Sequence, residues 1–259
     1  MRLFRSHGLG NDYLVLEEGT LTPALVRAVC DRHEGVGADG VLEPIPAPEG
    51  ADHAVRIYNP DGSEAEKSGN GLRIFADWLV RTRGVGPRFT VWTRGGIVRC
   101  EVDQGVRVAM GHARILGVDV LAGVAVTRVD VGNPHAVVRG IPADWERIGA
   151  AIEHAVPGRT NVQFVEFDAQ GARARIWERG AGRTRSSGSS ACAIAAVAVQ
   201  AGWARSPVTV RMEGGSLRIT VDSDNSVTLE GPVEPIGRIE VDTGWLERRS
   251  GSTPSAPAA

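Results

Sequence analysis

The sequence has little lysine, little cysteine and little net charge. Among 29 basic residues only Lys67 is a lysine, an arginine excess read as codon bias and not as a functional signal. Three cysteines, Cys30, Cys100 and Cys192, are too few and too scattered for a disulfide framework or a zinc site. A formal net charge of −2 gives no reason to expect nucleic acid or a membrane surface as a partner. The opening MRLFRSHGLGND has no long apolar run. Neither a signal peptide nor a membrane span is expected there, and the expected compartment is the cytoplasm. The final RRSGSTPSAPAA is polar and has nothing to bury, so residues 246–259 are expected to form a disordered tail.

What remains is ordinary globular material, 42% hydrophobic and 23% charged over 259 residues. That length suits one large domain or two of about 120 residues. Short β-rich runs fall at 13–17, 89–93, 135–139, 162–166 and 226–230, and apolar helical periodicity at 21–33, 71–82, 144–155 and 190–201. Many short strands with few helices point to α+β rather than to a doubly wound parallel sheet. GVGAD (35–39) lacks the Walker lysine and the spacing of a dinucleotide loop, so it is not read as a nucleotide site.

The more informative pattern is a long-period repeat. Gly10-Asn11-Asp12-Tyr13 returns as Gly132-Asn133-Pro134-His135, at an offset of 122. Asn59 and Glu178 are offset by 119, and each is followed nine residues later by a serine, Ser68 or Ser187. Both serines precede a glycine, in SGNG (68–71) and SGSS (187–190), and both bends open an apolar helix. Such helix starts expose backbone N–H groups that can hold an anion. Two related halves facing each other across a cleft would present two helix starts to one ligand. They would hold a carboxylate and stabilise charge spreading onto it. Removing a proton on one face of a carbon and returning it on the other is racemase or epimerase chemistry. The plainer alternative is a duplication kept only for folding.

Taken in order, HGLGNDYLVLE (7–17), DRHEGVGADGVL (31–42), NPDGSEAEKSGNGLRIFA (59–76), VGNPHAVV (131–138), RTNVQFVE (159–166) and WERGAGRTRSSGSSACA (177–193) resemble the diaminopimelate epimerase family. The resemblance covers most of the chain. It implies two pseudo-symmetric α+β domains, each a curled mixed sheet around a central helix, with the active site in the cleft between them. The halves are expected at 1–114 and 115–234, the first completed by a C-terminal strand near 235–245. It also implies a cofactor-free enzyme, without metal or pyridoxal phosphate, that interconverts LL- and meso-diaminopimelate, and a homodimer. By resemblance, Asn11, Asn59, Asn133, Asn161 and Arg179 would hold the substrate's distal end and carboxylates. Gly69, Asn70, Gly188 and Ser189 would offer helix-start N–H groups to the reacting carboxylate. His135 and Glu178 would assist the proton transfer.

The family uses a cysteine thiolate/thiol pair where this chain has Ser68 and Ser187. A thiol ionises near pH 8.5 and a hydroxyl near that of water, 15.7, a gap of about 7 units or on the order of 10 kcal/mol. Helix dipoles contribute about 0.3–2 kcal/mol each and do not close it. A free alkoxide is not expected on these magnitudes; a concerted relay through a neighbouring base, His135 or Glu178, stays open. Two other readings stay open: a one-base lyase or isomerase on the same scaffold, and a non-catalytic amino-acid-binding protein. Cys192 lies five residues past Ser187 and is expected to be a small buried helix residue, and Cys30 and Cys100 are expected to be structural. Arg183 and Arg185 are either solvated or alter the charge at the pocket mouth.

Overall fold

The computed structural model describes residues 1–249. Chain contacts divide it into two units. The first holds residues 1–97 and the segment from Val233 onward; the second is Val98–Pro232.

The first unit opens with β1 (Arg2–Gly8) and β2 (Asn11–Glu18), paired antiparallel. Their two-residue loop, Leu9-Gly10, has positive φ at both positions, the backbone twist that suits a tight hairpin. Helix α1 (Pro23–Cys30) is started by Thr22, whose side chain accepts the Leu25 N–H, and by proline in its first turn. It stops three residues short of the apolar periodicity. Asp31 leaves helical geometry and its carboxylate takes the N–H groups of His33 and Glu34. β3 (Val41–Ile45) returns parallel to β2, β4 (His53–Tyr58) antiparallel to β3, and the short β5 (Glu64–Ala65) pairs with β4. Helix α2 (Gly69–Arg83) follows, then β6 (Arg88–Thr93), parallel to β4.

β7 (Gly96–Val102) crosses the division and pairs with β8 (Val106–His112). In the second unit, β9 (Arg114–Leu121), β10 (Val124–Asp130) and β11 (Pro134–Arg139) are antiparallel neighbours. After α3 (Trp145–His154), β12 (Asn161–Asp168) runs parallel to β11, β13 (Gly171–Glu178) antiparallel to β12, and β14 (Gly182–Thr184) pairs with β13. Helix α4 (Gly188–Gln200) precedes β15 (Val208–Met212), which lies parallel to β13. The antiparallel pair β16 (Gly215–Val221) and β17 (Ser226–Gly231) ends the unit. The chain then returns to the first unit as β18 (Glu234–Glu240), antiparallel to β1, and α5 (Thr243–Arg249).

Both units therefore share one order: hairpin, helix, parallel strand, antiparallel strand, short strand, helix, parallel strand. The fold is α+β with two similar halves. In each, the second helix is buried nearly all round, which is the signature of a helix enclosed by a sheet. Every residue from Gly69 to Leu79 of α2 is buried, as is Ser190–Ala198 of α4. Alanine and valine make α4 slim enough to pack against β10, β11, β12, β15, β16 and β17. No helix among the described residues is long and apolar enough to cross a membrane.

Two expectations need revision. The 114/115 boundary gives way to one at 97/98, because β8 is hydrogen-bonded to β17 and so belongs to the second unit. The tail expected from 246 does not hold for residues 246–249. Residues 243–249 are helical, with Asp242 accepting the Trp245 N–H and Trp245 packed against the core around Leu3 and Val26. The rest of the expected tail, 250–259, lies outside the described residues.

Candidate active site

The two serines occupy equivalent places. Ser68 (φ −137, ψ 119) is the N-cap of α2, and Ser187 (φ −148, ψ 123) the N-cap of α4. Ser68 Oγ accepts the Gly71 N–H at 3.0 Å; Ser187 Oγ accepts the Ser190 N–H at a looser 3.5 Å. The backbone carbonyls of the same serines take the next N–H groups, of Leu72 and Ala191. Helix geometry leaves the first N–H groups without an intrahelical acceptor. Among the described residues the N–H groups of Gly69 and Asn70, and of Gly188 and Ser189, have no hydrogen-bond partner. Each unit thus carries two N–H donors at the positive end of a buried helix, beside a hydroxyl. Such an arrangement is able to hold a carboxylate. It also explains why serine is tolerated at both bends: it is among the best N-cap residues. The helices begin at Gly69 and Gly188, directly after the caps, two residues before the apolar runs.

In the first unit a polar network holds Asn11 and Asn70. Asn11 donates to Asp39 Oδ2 at 2.8 Å and accepts from the Asn70 amide at 3.0 Å. Asp39 also takes the Asp12 N–H, and Arg32 bridges Asp39 and Asp12. Burial pushes the Asp39 carboxyl up in pKa. Burial acts the same way on Asp12, but Arg32 and Arg5 outweigh it and hold its carboxyl below the usual range. Tyr13 Oη lies 3.1 Å from Ser68 Oγ. Asn59 stands apart from this network, in the Asn-Pro-Asp-Gly turn: its side chain donates to Ser63 and its carbonyl accepts the Gly62 N–H.

In the second unit His135 is buried and neutral; burial pushes its pKa down to about 3. Asn133 Oδ1 lies 2.8 Å from its Nε2, and the Gln163 amide donates to Nδ1 at 2.9 Å. With these amide orientations the ring proton sits on Nε2. Gln163 also reaches Ser190 Oγ at 3.0 Å, so this chain of bonds ends at Ser190 and not at Ser187. The hydroxyl partners of Ser187 among the described residues are the Ser190 N–H and Ser189 Oγ. Asn161 is buried, donating to the Pro134 carbonyl and accepting the Arg179 N–H. The Arg179 guanidinium is exposed and donates to the Gly158 carbonyl at 3.2 Å. Glu178 is the half-buried last residue of β13. Arg183 is exposed and held by Glu146 and by both oxygens of Glu213.

The cysteines do not replace the serines. Cys30, Cys100 and Cys192 are all buried, and burial pushes the Cys30 and Cys100 thiols up to about 12. Asp39, Arg32, Gln163 and Ser190 were not singled out from sequence. Asp39 lay in the loop dismissed as a nucleotide site, and its role needs the β2–β3 pairing to be seen. Replacing Asp39 with alanine orphans the Asn11 amide and the buried Asp12 N–H. At about 1–3 kcal/mol per unsatisfied group, urea unfolding should show a loss of roughly 2–6 kcal/mol. An unchanged midpoint would mean that Asp39 does not anchor Asn11.

The family model for diaminopimelate epimerase matches residues 3–116 and 127–236. The chain is 35% identical over 268 residues to the diaminopimelate epimerase of Magnetococcus marinus, with 93% of this chain and 96% of the relative covered. It is 38% identical over 264 residues to that of Azotobacter vinelandii, covering 90% and 95%. The fold is also similar to a crystal structure of a hydroxyproline epimerase from Agrobacterium vitis with bound trans-4-OH-L-proline. There the TM-score is 0.72, the identity 16%, and the coverage 92% of this chain and 91% of the other. Matched helix starts, a duplicated topology and homology along nearly its whole length lead to one conclusion: the chain belongs to the diaminopimelate epimerase family.

Proposed function

We propose that this protein is a cofactor-independent amino-acid epimerase that interconverts LL- and meso-diaminopimelate by α-proton transfer. The observation that carries the reading is the pair of equivalent helix starts, each with two N–H donors beside a capping serine. The N–H groups of Gly69, Asn70, Gly188 and Ser189 bind the carboxylate at the reacting carbon and stabilise the charge that spreads onto it when the α-proton leaves. Ser68 and Ser187 relay protons to and from opposite faces of that carbon. Asn11, Asn133, Asn161 and Arg179 hold the remaining polar groups, with Asn59 in a turn that approaches the substrate. Glu178 assists the transfer. His135, neutral and bonded at both nitrogens, assists by fixing Asn133 and Gln163 rather than as a free base.

The test is chiral separation of product from LL-diaminopimelate. The reading predicts meso product of unchanged mass, at a rate below that of a thiol enzyme. Loss of water or a new unsaturation, seen by mass and absorbance, would favour a one-base lyase or isomerase. That second reading has one observation behind it: Ser68 touches a titratable side chain, Tyr13, whereas the partners of Ser187 are a backbone N–H and a hydroxyl.

A further inference from the structure

A serine that moves a proton needs a partner able to hold the proton it gives up. Among the described residues Ser68 Oγ has two hydrogen-bond partners: the Gly71 N–H, which donates to it, and the Tyr13 phenol at 3.1 Å. An N–H takes up no proton, so the exchangeable one runs along the Tyr13–Ser68 bond. The placement of the phenol is built in. Tyr13 is buried on β2, and Gly40 leaves room for its ring. A Cβ at residue 40 would stand 2.5 Å from Tyr13 Cε1 and 2.5 Å from the Tyr58 carbonyl, and neither neighbour is a flexible chain end that moves cheaply. Gly71 does the same for the other partner, since a Cβ there would lie 3.3 Å from Ser68 Oγ. In the repeat Tyr13 stands where the second half has His135. The histidine is sealed into a network that ends at Ser190, whereas the tyrosine meets the capping serine itself.

Resting on the epimerase reading above, we propose that Tyr13 is the proton-holding partner of Ser68 and supplies the acidity that the missing thiol would have had. In the removal direction the α-carbon–hydrogen bond breaks and its electron pair stays on carbon, spread onto the carboxylate at the helix start. Ser68 Oγ gains the α-proton as its own hydroxyl proton passes to the Tyr13 phenolate. In the return direction Tyr13 gives its proton to Ser68, and Ser68 gives its own to the carbanion. No free alkoxide forms at Ser68. An ordinary phenol ionises near pH 10, about 6 units below a hydroxyl of water-like acidity. Tyr13 acts through Ser68, and does not touch the substrate.

Two measurements test this. In the first, Tyr13→Phe removes one oxygen and keeps the ring. It should lower kcat by about 10²–10⁴-fold, the usual range for a general acid–base group, leave KM nearly unchanged, and abolish the rise of kcat with pH that phenolate formation gives the wild type. A kcat and pH profile equal to wild type would overturn the proposal even if epimerisation is confirmed. The second needs no turnover. The chain has two tyrosines, Tyr13 and Tyr58, so in a Tyr58→Phe protein the phenolate absorbance reports Tyr13 alone. Adding Ser68→Ala should move that titration midpoint by a measurable fraction of a pH unit. Coincident curves would show that Tyr13 and Ser68 share no proton, and would sink the proposal whether or not diaminopimelate is the substrate.

Discussion

A Ser68→Cys/Ser187→Cys protein should exchange and invert the α-proton of diaminopimelate about 10²-fold faster than wild type, or more, and melt at a lower temperature. The gain follows from acidity. A thiolate forms about 7 units below an alkoxide, so the base no longer needs a relay to exist near neutral pH. The loss follows from the caps. Both hydroxyls accept an N–H of their helix, and replacing a serine N-cap with a poor one costs about 0.5–2 kcal/mol. The looser bond at Ser187 puts its share at the low end. The two effects separate in single variants: each alone should lower the melting temperature, but only the double variant restores a matched pair. Initial rates by chiral separation and thermal melts of all four proteins make the check. A double variant no faster than wild type would mean that residues 68 and 187 do not face the reacting carbon.

The second large effect is in stability against pH. An unfolded histidine titrates near 6.5 and His135 in the folded chain at about 3, lowered by burial. Between those values the unfolded chain binds one proton more. The contribution of His135 is therefore complete above pH 6.5 and is lost progressively as the pH falls towards 3. At about 1.4 kcal/mol per unit, the full window is worth roughly 4–5 kcal/mol. His135→Gln removes the titration. Urea unfolding between pH 7 and pH 4 should show the wild type losing stability more steeply than the variant, by as much as one proton's slope. Parallel curves would place the imidazole in contact with solvent.

Much of this architecture was legible because the repeat survives at chemically demanding positions. The Gly-Asn pairs at 10–11 and 132–133 mark the hairpin turns, and the Ser-Gly pairs at 68–69 and 187–188 mark the helix starts. The apolar faces of α2 and α4 announced buried helices. Strands were harder. β9 carries Leu116, Val118 and Val120 on an exposed face, so its alternation suggests a half-buried strand of the opposite sense. β5 and β14 have only two and three residues, too few for periodicity to register. The boundary at 97/98 depends on β8 pairing with β17, more than a hundred residues away, which no local pattern encodes. At the site, residue types were readable but partners were not. His135 was taken as the neighbour of a catalytic serine, yet its ring meets Asn133 and Gln163, whereas Tyr13, seen only as a strand residue, touches Ser68.

The central claim is that a serine-capped pair of helix starts still moves an α-proton. Proton NMR of LL-diaminopimelate with the protein in deuterated water tests it most directly. The account predicts that the α-proton signal fades with time, that meso product appears, and that Tyr13→Phe slows both. An α-proton signal that persists undiminished at high protein concentration, while a Ser68→Cys/Ser187→Cys protein erases it, would contradict the claim and leave a folded binding site without the chemistry.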